Sequence, residues 1–204
     1  MGVPVSPGKY TVKLTVGSQT QAQTVEVKPD SRVTIADPLS QETLALKARD
    51  NITKLSQTVA KIRSLQKQLS LRKDLLKEND DAKQFLKDSE AFGKKLTALE
   101  EKLHNPKAKI VYDVFAAKGG AMLYSQLTWL LSNVCDGDGT PTKAMNEFSV
   151  DLEKTLNGYL GEFEKLQSDD FVKLNDAAKS LGVPGLYLPA IKKKEAVTQP
   201  PIEN

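Results

Sequence analysis

Residues 48–69, ARDNITKLSQTVAKIRSLQKQL, carry apolar side chains at spacings of four and three residues. Such spacing places them on one stripe of an α-helix, as in a coiled coil. With Ser40 as its N-cap and an end near Lys77, this helix is roughly 55 Å long at ~1.5 Å per residue. It therefore needs antiparallel helical partners to cover the stripe. The stripe consists of Ala48, Ile52, Leu55, Val59, Ile62, Leu65 and Leu69, with Gln66 at one heptad core position.

A second helix supplies the first partner. Asp80 and Asp81 favour its start, and Asn105-Pro106 ends it, because proline disfavours helical geometry in the preceding residue. Gly93 costs a helix about 1 kcal/mol relative to alanine, so we interpret it as the mark of a close helix crossing. The stripe of this helix is Ala82, Phe85, Ser89, Phe92, Leu96, Leu99 and Leu103.

Three more helices are predicted after a less regular stretch with a break at residues 118–120. The third spans about 121–134 and is expected to be the most buried, because Met122, Trp129 and Leu131 widen its stripe. The fourth begins at Thr140 as N-cap, with Pro141 at the first helical position. The last begins at 168–170 and ends at Gly182, with Pro184 beyond. The stripes are Leu123, Leu127, Leu130 and Val134; then Met145, Phe148, Leu152, Leu156, Tyr159, Phe163 and Leu166; then Phe171, Leu174, Ala178 and Leu181.

The first 32 residues have a different pattern. Residues 9–16 and 24–27 alternate apolar and polar side chains around Gly17-Ser18, which is typical of a β-hairpin. Two strands alone are at best marginally stable in water. The hairpin is therefore expected to be the last hairpin of a β-sandwich, packing on β-structure encoded elsewhere. Its apolar face comprises Tyr10, Val12, Leu14, Val16, Val25 and Val27.

These patterns predict a mainly α protein. The expected fold is an antiparallel helical bundle of four main helices plus a short one, with an N-terminal β-hairpin from an incomplete β-sandwich. The predicted boundaries are 1–32 for the hairpin, 33–39 for a linker and 40–184 for the bundle. Residues 185–204 are expected to form an extended, disordered tail.

Composition excludes several classes of function. The balance of 29 Lys and Arg against 26 Asp and Glu leaves no basic footprint for nucleic acid. A single cysteine allows neither an intrachain disulfide nor a thiolate metal cluster. The longest apolar run, 110–117, is broken by Asp113 and is far short of the ~20 residues of a spanning helix. The first eight residues lack the regions of a signal peptide.

His104 and Cys135 are the only histidine and cysteine in the chain. His104 lies at a helix end, where a cation favours the dipole, and no acid–base partner is indicated. Cys135 closes the third helix, and a lone cysteine commonly acts as a small buried hydrophobe. A dyad between the two stays open at the level of sequence, but we predict a catalytic role for neither.

Residues 136–140, Asp-Gly-Asp-Gly-Thr, begin like a calcium-binding loop. An EF-hand loop requires glycine at position 6 and a glutamate at position 12. Glu147 falls at position 12, but Pro141 stands where the glycine must be. We therefore interpret the segment as a tight loop between two helices.

The remaining polar motifs are also explained without a site. The sequon Asn51-Ile52-Thr53 lies in the middle of the first helix. The acid pairs Glu100-Glu101 and Asp169-Asp170 are interpreted as solvated faces or as partners of helix N-termini. Because no glycine-rich phosphate loop is present either, no catalytic, cofactor-binding or metal-binding residue is predicted.

Two segments, Val25-Glu26-Val27-Lys28-Pro29-Asp30-Ser31-Arg32 and Leu123-Tyr124-Ser125-Gln126-Leu127, stand in a recognisable order with the hairpin and the 136–142 loop. This order resembles the C-terminal region of large bacterial sortilin-like, BNR-repeat proteins, often labelled glycosyl hydrolases. The resemblance implies that a β-propeller and a small sandwich domain precede the helical region, with residues 8–32 as the last sandwich strands. It also implies an exported, periplasmic or extracellular parent. The propeller's Ser-x-Asp-x-Gly-x-x-Trp repeat is absent from the sequence, so no catalytic residue carries over.

The leading hypothesis is a non-catalytic accessory domain of a larger β-propeller protein, packing against or positioning its N-terminal β-rich portion. Weak self-association through the hairpin is also expected. One alternative is an independent helical interaction module with Gln66 helping to set register; an exposed apolar groove would favour it. The other is part of a glycoside hydrolase whose active site lies outside this chain; a deep pocket with two facing acids would favour catalysis here.

Overall fold

The computed structural model describes residues 2–32, 34, 36–107, 122–137 and 139–190. A 3₁₀ turn, Asp80–Ala82, leads into the second helix, and a π-helical turn, Gln167–Phe171, joins the fourth to the fifth. The prediction of a mainly α fold with an N-terminal hairpin is confirmed. The elements are β1 (Gly8–Val16), β2 (Gln19–Val27), α1 (Ala36–Leu76), α2 (Lys83–Leu103), α3 (Leu123–Asp136), α4 (Lys143–Leu166) and α5 (Val172–Ser180).

The predicted apolar stripes form the core. In α1 every stripe residue is buried except Ile52, which is half-buried. All seven stripe residues of the second helix are buried, from Ala82 to Leu103. The buried apolar residues of α1, α2, α3, α4 and α5 belong to one continuous cluster. Helical periodicity therefore identified the core correctly along most of the chain.

Contacts between helices show how they are arranged. Arg63 pairs with Glu100 at 2.7 Å, and Gln66 donates to Thr97 at 3.2 Å, so α2 runs antiparallel to the C-terminal half of α1. Gln41, near the start of α1, donates to the carbonyl of Val134 at the end of α3 at 2.6 Å. Helix α3 thus runs antiparallel to the N-terminal half of α1, and α2 and α3 follow one another along it.

The fourth helix completes the bundle. Lys102 and Lys95 of α2 pair with Glu162 and Asp170 at 2.8 Å each, so α4 and its π-helical extension run antiparallel to α2. The four main helices therefore form three columns: α1, α4 continued into α5, and α2 with α3. The rings of His104 and Tyr124 meet at the junction of α2 and α3, with centroids 4.8 Å apart.

The N-termini of two helices differ from the prediction. Helix α1 begins at Ala36 instead of following Ser40, and Pro38 is tolerated in the first turn because N–H groups there have no intrahelical partner. Thr142, and not Thr140, is the N-cap of α4, since its side chain accepts from the Met145 N–H at 3.2 Å. Part of the predicted 33–39 linker is therefore helical.

The predicted start of the last helix at 168–170 is wrong. These residues lie in the π-helical turn Gln167–Phe171, so the chain stays helical from α4 into α5. The predicted end is correct. Gly182 has φ +66, its N–H donates to the Lys179 carbonyl, and the Val183 N–H donates to that of Ala178. This is a Schellman motif, in which glycine provides the left-handed residue.

Helix α3 is the most enclosed helix in the described part of the chain. Its stripe, Leu123, Leu127, Leu130 and Val134, is buried as predicted. Trp129 is half exposed, at 50%, and meets Phe148 edge-on with ring centroids 6.1 Å apart. Met122 is exposed too. Only Trp129 and Asp136 of its fourteen residues are exposed, so the prediction that α3 is the most buried helix is confirmed, although Met122 and Trp129 do not extend the buried stripe.

The segment after α5 packs on the bundle. Leu186 is buried, and its N–H donates to Asn175 Oδ1 at 2.5 Å. Gln68 and Tyr187 exchange two hydrogen bonds, of 2.7 and 2.8 Å. Arg72 donates to the Pro184 carbonyl at 2.9 Å, and burial lowers the pKa of its guanidinium. The predicted disordered tail therefore does not begin at 185, since Leu186 and Tyr187 pack on α5 and α1.

Some predictions fall elsewhere in the chain. The apolar run 110–117, the break at 118–120, Asp138 and the tail from 191 onward lie outside the described residues.

Candidate interaction surface

The hairpin is closed by a two-residue turn. Gly17 has φ +59 and Ser18 does not share the positive φ, which is the geometry of a type II′ turn with glycine first. The register then runs without interruption from Val16 opposite Gln19 to Gly8 opposite Val27. The local sequence explains this register, because a turn whose geometry matches the twist of β-strands is flanked by residues that alternate between apolar and polar.

The apolar side of this hairpin lies in solvent. Alternation along the strands places Tyr10, Val12, Leu14, Val16, Val25 and Val27 on one side, which we call the hairpin face. Val12 is 56% exposed, Leu14 64% and Val16 69%. Contiguous exposed apolar side chains of this kind mark interaction surfaces in folded proteins.

The hairpin face is apolar mainly along β1. Opposite Val12, Leu14 and Val16 stand three glutamines of β2, and Val25 opposite Tyr10 is the first apolar partner. On the other side of the sheet, Lys9 opposes Glu26, and Thr15 bonds Thr20 through their hydroxyls at 3.1 Å. The glutamines are Gln23, Gln21 and Gln19.

The base of the hairpin is fixed to the bundle. The Ser6 N–H donates to the Glu42 carboxylate at 2.9 Å, and the Tyr10 hydroxyl donates to the Ser6 carbonyl at 2.5 Å. Ser6 and Glu42 are both buried, and Val3 packs against the core. Burial and the negative charge of Glu42 raise the pKa of Tyr10. The hairpin therefore projects from a fixed base at the start of α1.

The start of α1 is in turn tied to the loop between α3 and α4. Buried Gln41 donates to the carbonyls of Val134 and Gly137 at the end of α3, where helix carbonyls lack intrahelical partners. Thr140 donates to Asp37, which also accepts from Thr34 at 2.5 Å. These hydrogen bonds, Thr140's first, lower the pKa of Asp37. Gly137 and Thr140, from the segment that resembled a calcium loop, thus connect the end of α3 to the start of α1.

A groove lies between α1 and α2 on the bundle surface. It has a volume of about 430 Å³ and is lined by Gln66, Leu69, Leu86, Gly93 and Ala98 among others. A Cβ on Gly93 would meet Leu69 Cδ1 at 3.8 Å, an ordinary contact. A close helix crossing therefore does not require glycine at position 93, contrary to our prediction.

The groove also contains two acids, but they do not face each other. Glu90 pairs with Lys94 at 2.8 Å and Glu101 with Lys107 at 2.6 Å. The Lys94 ammonium lowers the pKa of Glu90. Glu90 and Glu101 are eleven residues apart on α2, so their backbones are separated by roughly 16 Å at ~1.5 Å per residue. The paired catalytic carboxylates of glycosidases are only about 5–10 Å apart.

The structure does not bring His104 and Cys135 together. His104 ends α2 and contacts Tyr124; its Nδ1 is buried and has no partner among the described residues. Cys135 is half-buried at the end of α3, and burial followed by the Asp136 charge raises the pKa of its thiol. A raised pKa disfavours the thiolate, which is the reactive form.

The polar motifs have structural roles. Asn51 of the sequon is buried in α1, at 2% exposure. Glu100 was expected to be solvated but is buried, and Arg63 pairs with it. Asp170 pairs with Lys95 inside a continuous helix and does not serve a helix N-terminus. Sequence reasoning missed Glu100 because its partner comes from another helix.

The described residues contain neither a candidate metal cluster nor a candidate membrane span. Nowhere in this part of the chain do three His, Cys, Asp or Glu side chains gather as they would around a metal ion. None of its helices combines the length and apolar character that crossing a membrane requires. No protein-family model, curated protein or solved structure matches the chain.

Proposed function

We propose that this chain is a non-catalytic accessory domain whose bundle positions the hairpin against a β-rich module. The observation that carries the proposal is the contrast within the hairpin: its base is held by Glu42 and Ser6, while Val12, Leu14 and Val16 are exposed. A fixed base presents the hairpin face in one orientation. The resemblance to sortilin-like, BNR-repeat proteins supports a module located N-terminal to the hairpin.

The geometry of stacked β-sheets defines what the module supplies. Two antiparallel sheets stack about 10 Å apart and interdigitate the side chains of their inner faces. The hairpin face has the required alternation, with Lys9, Thr11, Lys13 and Thr15 on the opposite, solvent side. The module therefore provides a second apolar sheet over β1.

The direct test expresses the chain together with the polypeptide encoded immediately upstream of residue 1. Amide hydrogen exchange in residues 10–16 is expected to slow at least about tenfold relative to the isolated chain, because docking adds to the local opening free energy. Leu14→Asp should abolish this protection, and Lys13→Asp on the opposite side should preserve it. Equal exchange in both proteins, or an upstream polypeptide with no β-strands, would contradict the proposal.

The absence of catalysis is part of the proposal. The lysine partners of Glu90 and Glu101, and the distance between the two carboxylates, support a role as surface charges. The pKa of Glu90 is lowered, whereas a general acid needs a raised pKa. Purified chain assayed on a broad glycoside and peptide panel should give no turnover. Turnover that survives repurification and is lost with Glu90→Gln or Glu101→Gln would overturn this part.

The α1–α2 groove supports a second candidate, a helical interaction module. Gln66, which interrupts the heptad pattern, lines the groove, and Leu69, Leu86 and Ala98 supply apolar surface. An amphipathic helix fits such a groove through side chains spaced by three and four residues. Titration with a leucine-heptad helical peptide should shift the NMR signals of Leu86 and Ala98. Shifts confined to the hairpin would reject this candidate.

A further inference from the structure

The hydrogen-bonding pattern of the hairpin determines which main-chain groups reach its free edges. In a two-residue hairpin the residues that flank the turn form a hydrogen-bonded pair, and such pairs alternate along the strands. Val16 and Gln19 flank the turn, so the pairs at Leu14, Val12, Tyr10 and Gly8 are hydrogen-bonded as well. The N–H and C=O groups of the intervening residues point away from the partner strand.

These intervening residues differ between the two strands. On β1 they are Lys9, Thr11, Lys13 and Thr15, and on β2 they are Thr20, Ala22, Thr24 and Glu26. All eight are exposed. Both edges therefore offer unpaired main-chain groups to another strand, as edge strands do, and the side chains decide which edge is used.

The edge of β1 is complementary to itself. When two copies of Gly8–Val16 pair antiparallel over their full length, Val12 stands opposite Val12 and Tyr10 opposite Leu14. Thr11 then faces Lys13 and Lys9 faces Thr15, so no lysine directly faces a lysine. The apolar rows of the two β1 strands lie side by side, where cross-strand neighbours are about 4.5–5.5 Å apart.

The edge of β2 lacks this complementarity. Full-length pairing of two copies of Gln19–Val27 would set Gln23 against Gln23, Gln21 against Val25 and Thr20 against Glu26. It would also leave the apolar row of β1 at the outside of the sheet. A contact between β1 and β2 of different copies is heterologous and does not close into a dimer.

We propose that two copies of the chain associate through the free edges of β1, with residues 8–16 paired antiparallel about Val12. The product is a four-stranded sheet in the order β2–β1–β1–β2, with the apolar rows at its centre and the glutamine rows outside. Dimerisation uses the edge of the hairpin, whereas the proposed β-rich module uses its face. The inference is therefore independent of that module.

Thr11 and Thr24 provide a matched pair of variants, since they face each other in the hairpin and both point their N–H groups outward. Proline lacks the N–H and is tolerated on edge strands. Thr11→Pro removes one bond from each half of the dimer and should weaken dimerisation at least about tenfold. Thr24→Pro makes the matching change on the edge of β2, which stays free in the proposed dimer, and should change dimerisation less than about twofold.

Sedimentation of the full chain and both variants over a wide concentration range gives the readout. A concentration-dependent monomer–dimer equilibrium that Thr11→Pro weakens and Thr24→Pro leaves intact supports the proposal. A chain that stays monomeric, equal effects of the two variants, or growth beyond the dimer overturns it.

Cross-linking tests the register by a second route. In a Cys135→Ser background, Val12→Cys puts two cysteines opposite each other at a non-hydrogen-bonded position of the dimer. Their Cα atoms are then about 4.5 Å apart, a distance that suits a disulfide. Thr15→Cys is the control, because its two copies lie six positions apart, roughly 20 Å at ~3.3 Å per residue. Oxidation should yield covalent dimers with Val12→Cys alone. Cross-linking of Thr15→Cys instead would overturn the register.

Discussion

The hairpin and the bundle have equally regular apolar patterns, but the bundle buries its apolar side chains and the hairpin exposes them. In the bundle, Leu55, Ile62 and Leu127 are fully buried. In the hairpin, Val12, Leu14 and Val16 stand more than half exposed. Periodicity therefore predicts which side chains share a face in both regions, while burial depends on whether the chain also supplies a covering layer.

The difference also separates two kinds of stability. The bundle derives its stability from one apolar cluster that extends through all five helices. The hairpin depends on cross-strand pairs and on its attachment near Glu42, because two strands alone are marginal in water. The comparison predicts that changes in the bundle alter global unfolding and that changes beyond the base of the hairpin do not.

The largest expected effect comes from truncating a leucine in each region. Leu127→Ala removes a fully buried side chain and should lower the free energy of unfolding by about 2–5 kcal/mol. Leu14→Ala, at a 64% exposed position, should change it by less than about 0.5 kcal/mol. Urea denaturation followed by circular dichroism measures both. Comparable losses would mean that the hairpin belongs to the core.

A buried charge provides the next test of the bundle. Glu100 is buried and Arg63 is its partner, so Arg63→Met leaves the carboxylate without this bond and should destabilise by about 1–3 kcal/mol. Lys95→Met breaks the more exposed Lys95–Asp170 pair and should cost about 0–1 kcal/mol. Thermal unfolding of the two variants gives the comparison. The reverse order would show that the surface pair is the more important.

Glycine substitutions should act with opposite sign in the two regions. Gly93→Ala has room against Leu69 and should stabilise the bundle by about 1 kcal/mol through helix propensity. Gly17→Ala places a side chain at φ +59 and should strain the turn by about 1–2 kcal/mol. Hydrogen exchange should show the second loss only in residues 8–27, with helix exchange unchanged. A loss of helix protection by Gly17→Ala would couple the regions.

Shortening the hairpin sharpens the boundary between them. Deletion of residues 11–24, joined by a short glycine–serine turn, should change bundle unfolding by less than about 0.5 kcal/mol, because the exposed tip contributes no core. Deletion of residues 1–30 should have the larger effect, since Val3 packs on the core and Ser6 bonds Glu42. Calorimetry of both deletions decides it. Equal melting temperatures would show that residues 1–10 add nothing to the stability of the bundle and would place the boundary after residue 30.

The smallest effect concerns pH. Hydrogen bonds from Thr140 and Thr34 lower the pKa of Asp37 in the folded chain, so this group's contribution is present above the unfolded pKa of about 4 and is lost as pH falls through the folded value. Thr140→Val should flatten that loss in acid denaturation between about pH 5 and 2, and Thr155→Val, which bonds only within α4, should not. Identical acid profiles of Thr140→Val and the parent chain would contradict the assignment.

Local patterns in the sequence predicted the hairpin, the five helices and almost the whole core. They did so because regular spacing places the apolar residues of each helix on one stripe, and the chain supplies other helices that cover these stripes. The choice between neighbouring caps was beyond their reach. Thr140 and Thr142 are equivalent candidates by type, and Thr142 caps α4 while Thr140 bonds Asp37, more than a hundred residues away in sequence.

The features that sequence reasoning missed depend on partners from distant elements. Leu186 lies with Val183, Tyr187 and Leu188 in a short apolar stretch without helical spacing, and hydrogen bonds from Asn175, Gln68 and Arg72 hold this stretch on the bundle. The π-helical turn keeps α4 and α5 joined where a new start was predicted, and Asp170 within it pairs with Lys95. The hairpin face was recognised as apolar, but only the structure shows its exposure and the anchoring of its base.

Helix α1 also sets a distance. Glu42 near its start holds the base of the hairpin, and Arg72 near its end holds the carbonyls of Pro184 and Gly185. Thirty residues of continuous helix separate these two anchors, about 45 Å at ~1.5 Å per residue. The helix therefore acts as a rigid spacer between the base of the hairpin and the Pro184–Gly185 segment, and a pulling force applied between these two points would act along the helix axis.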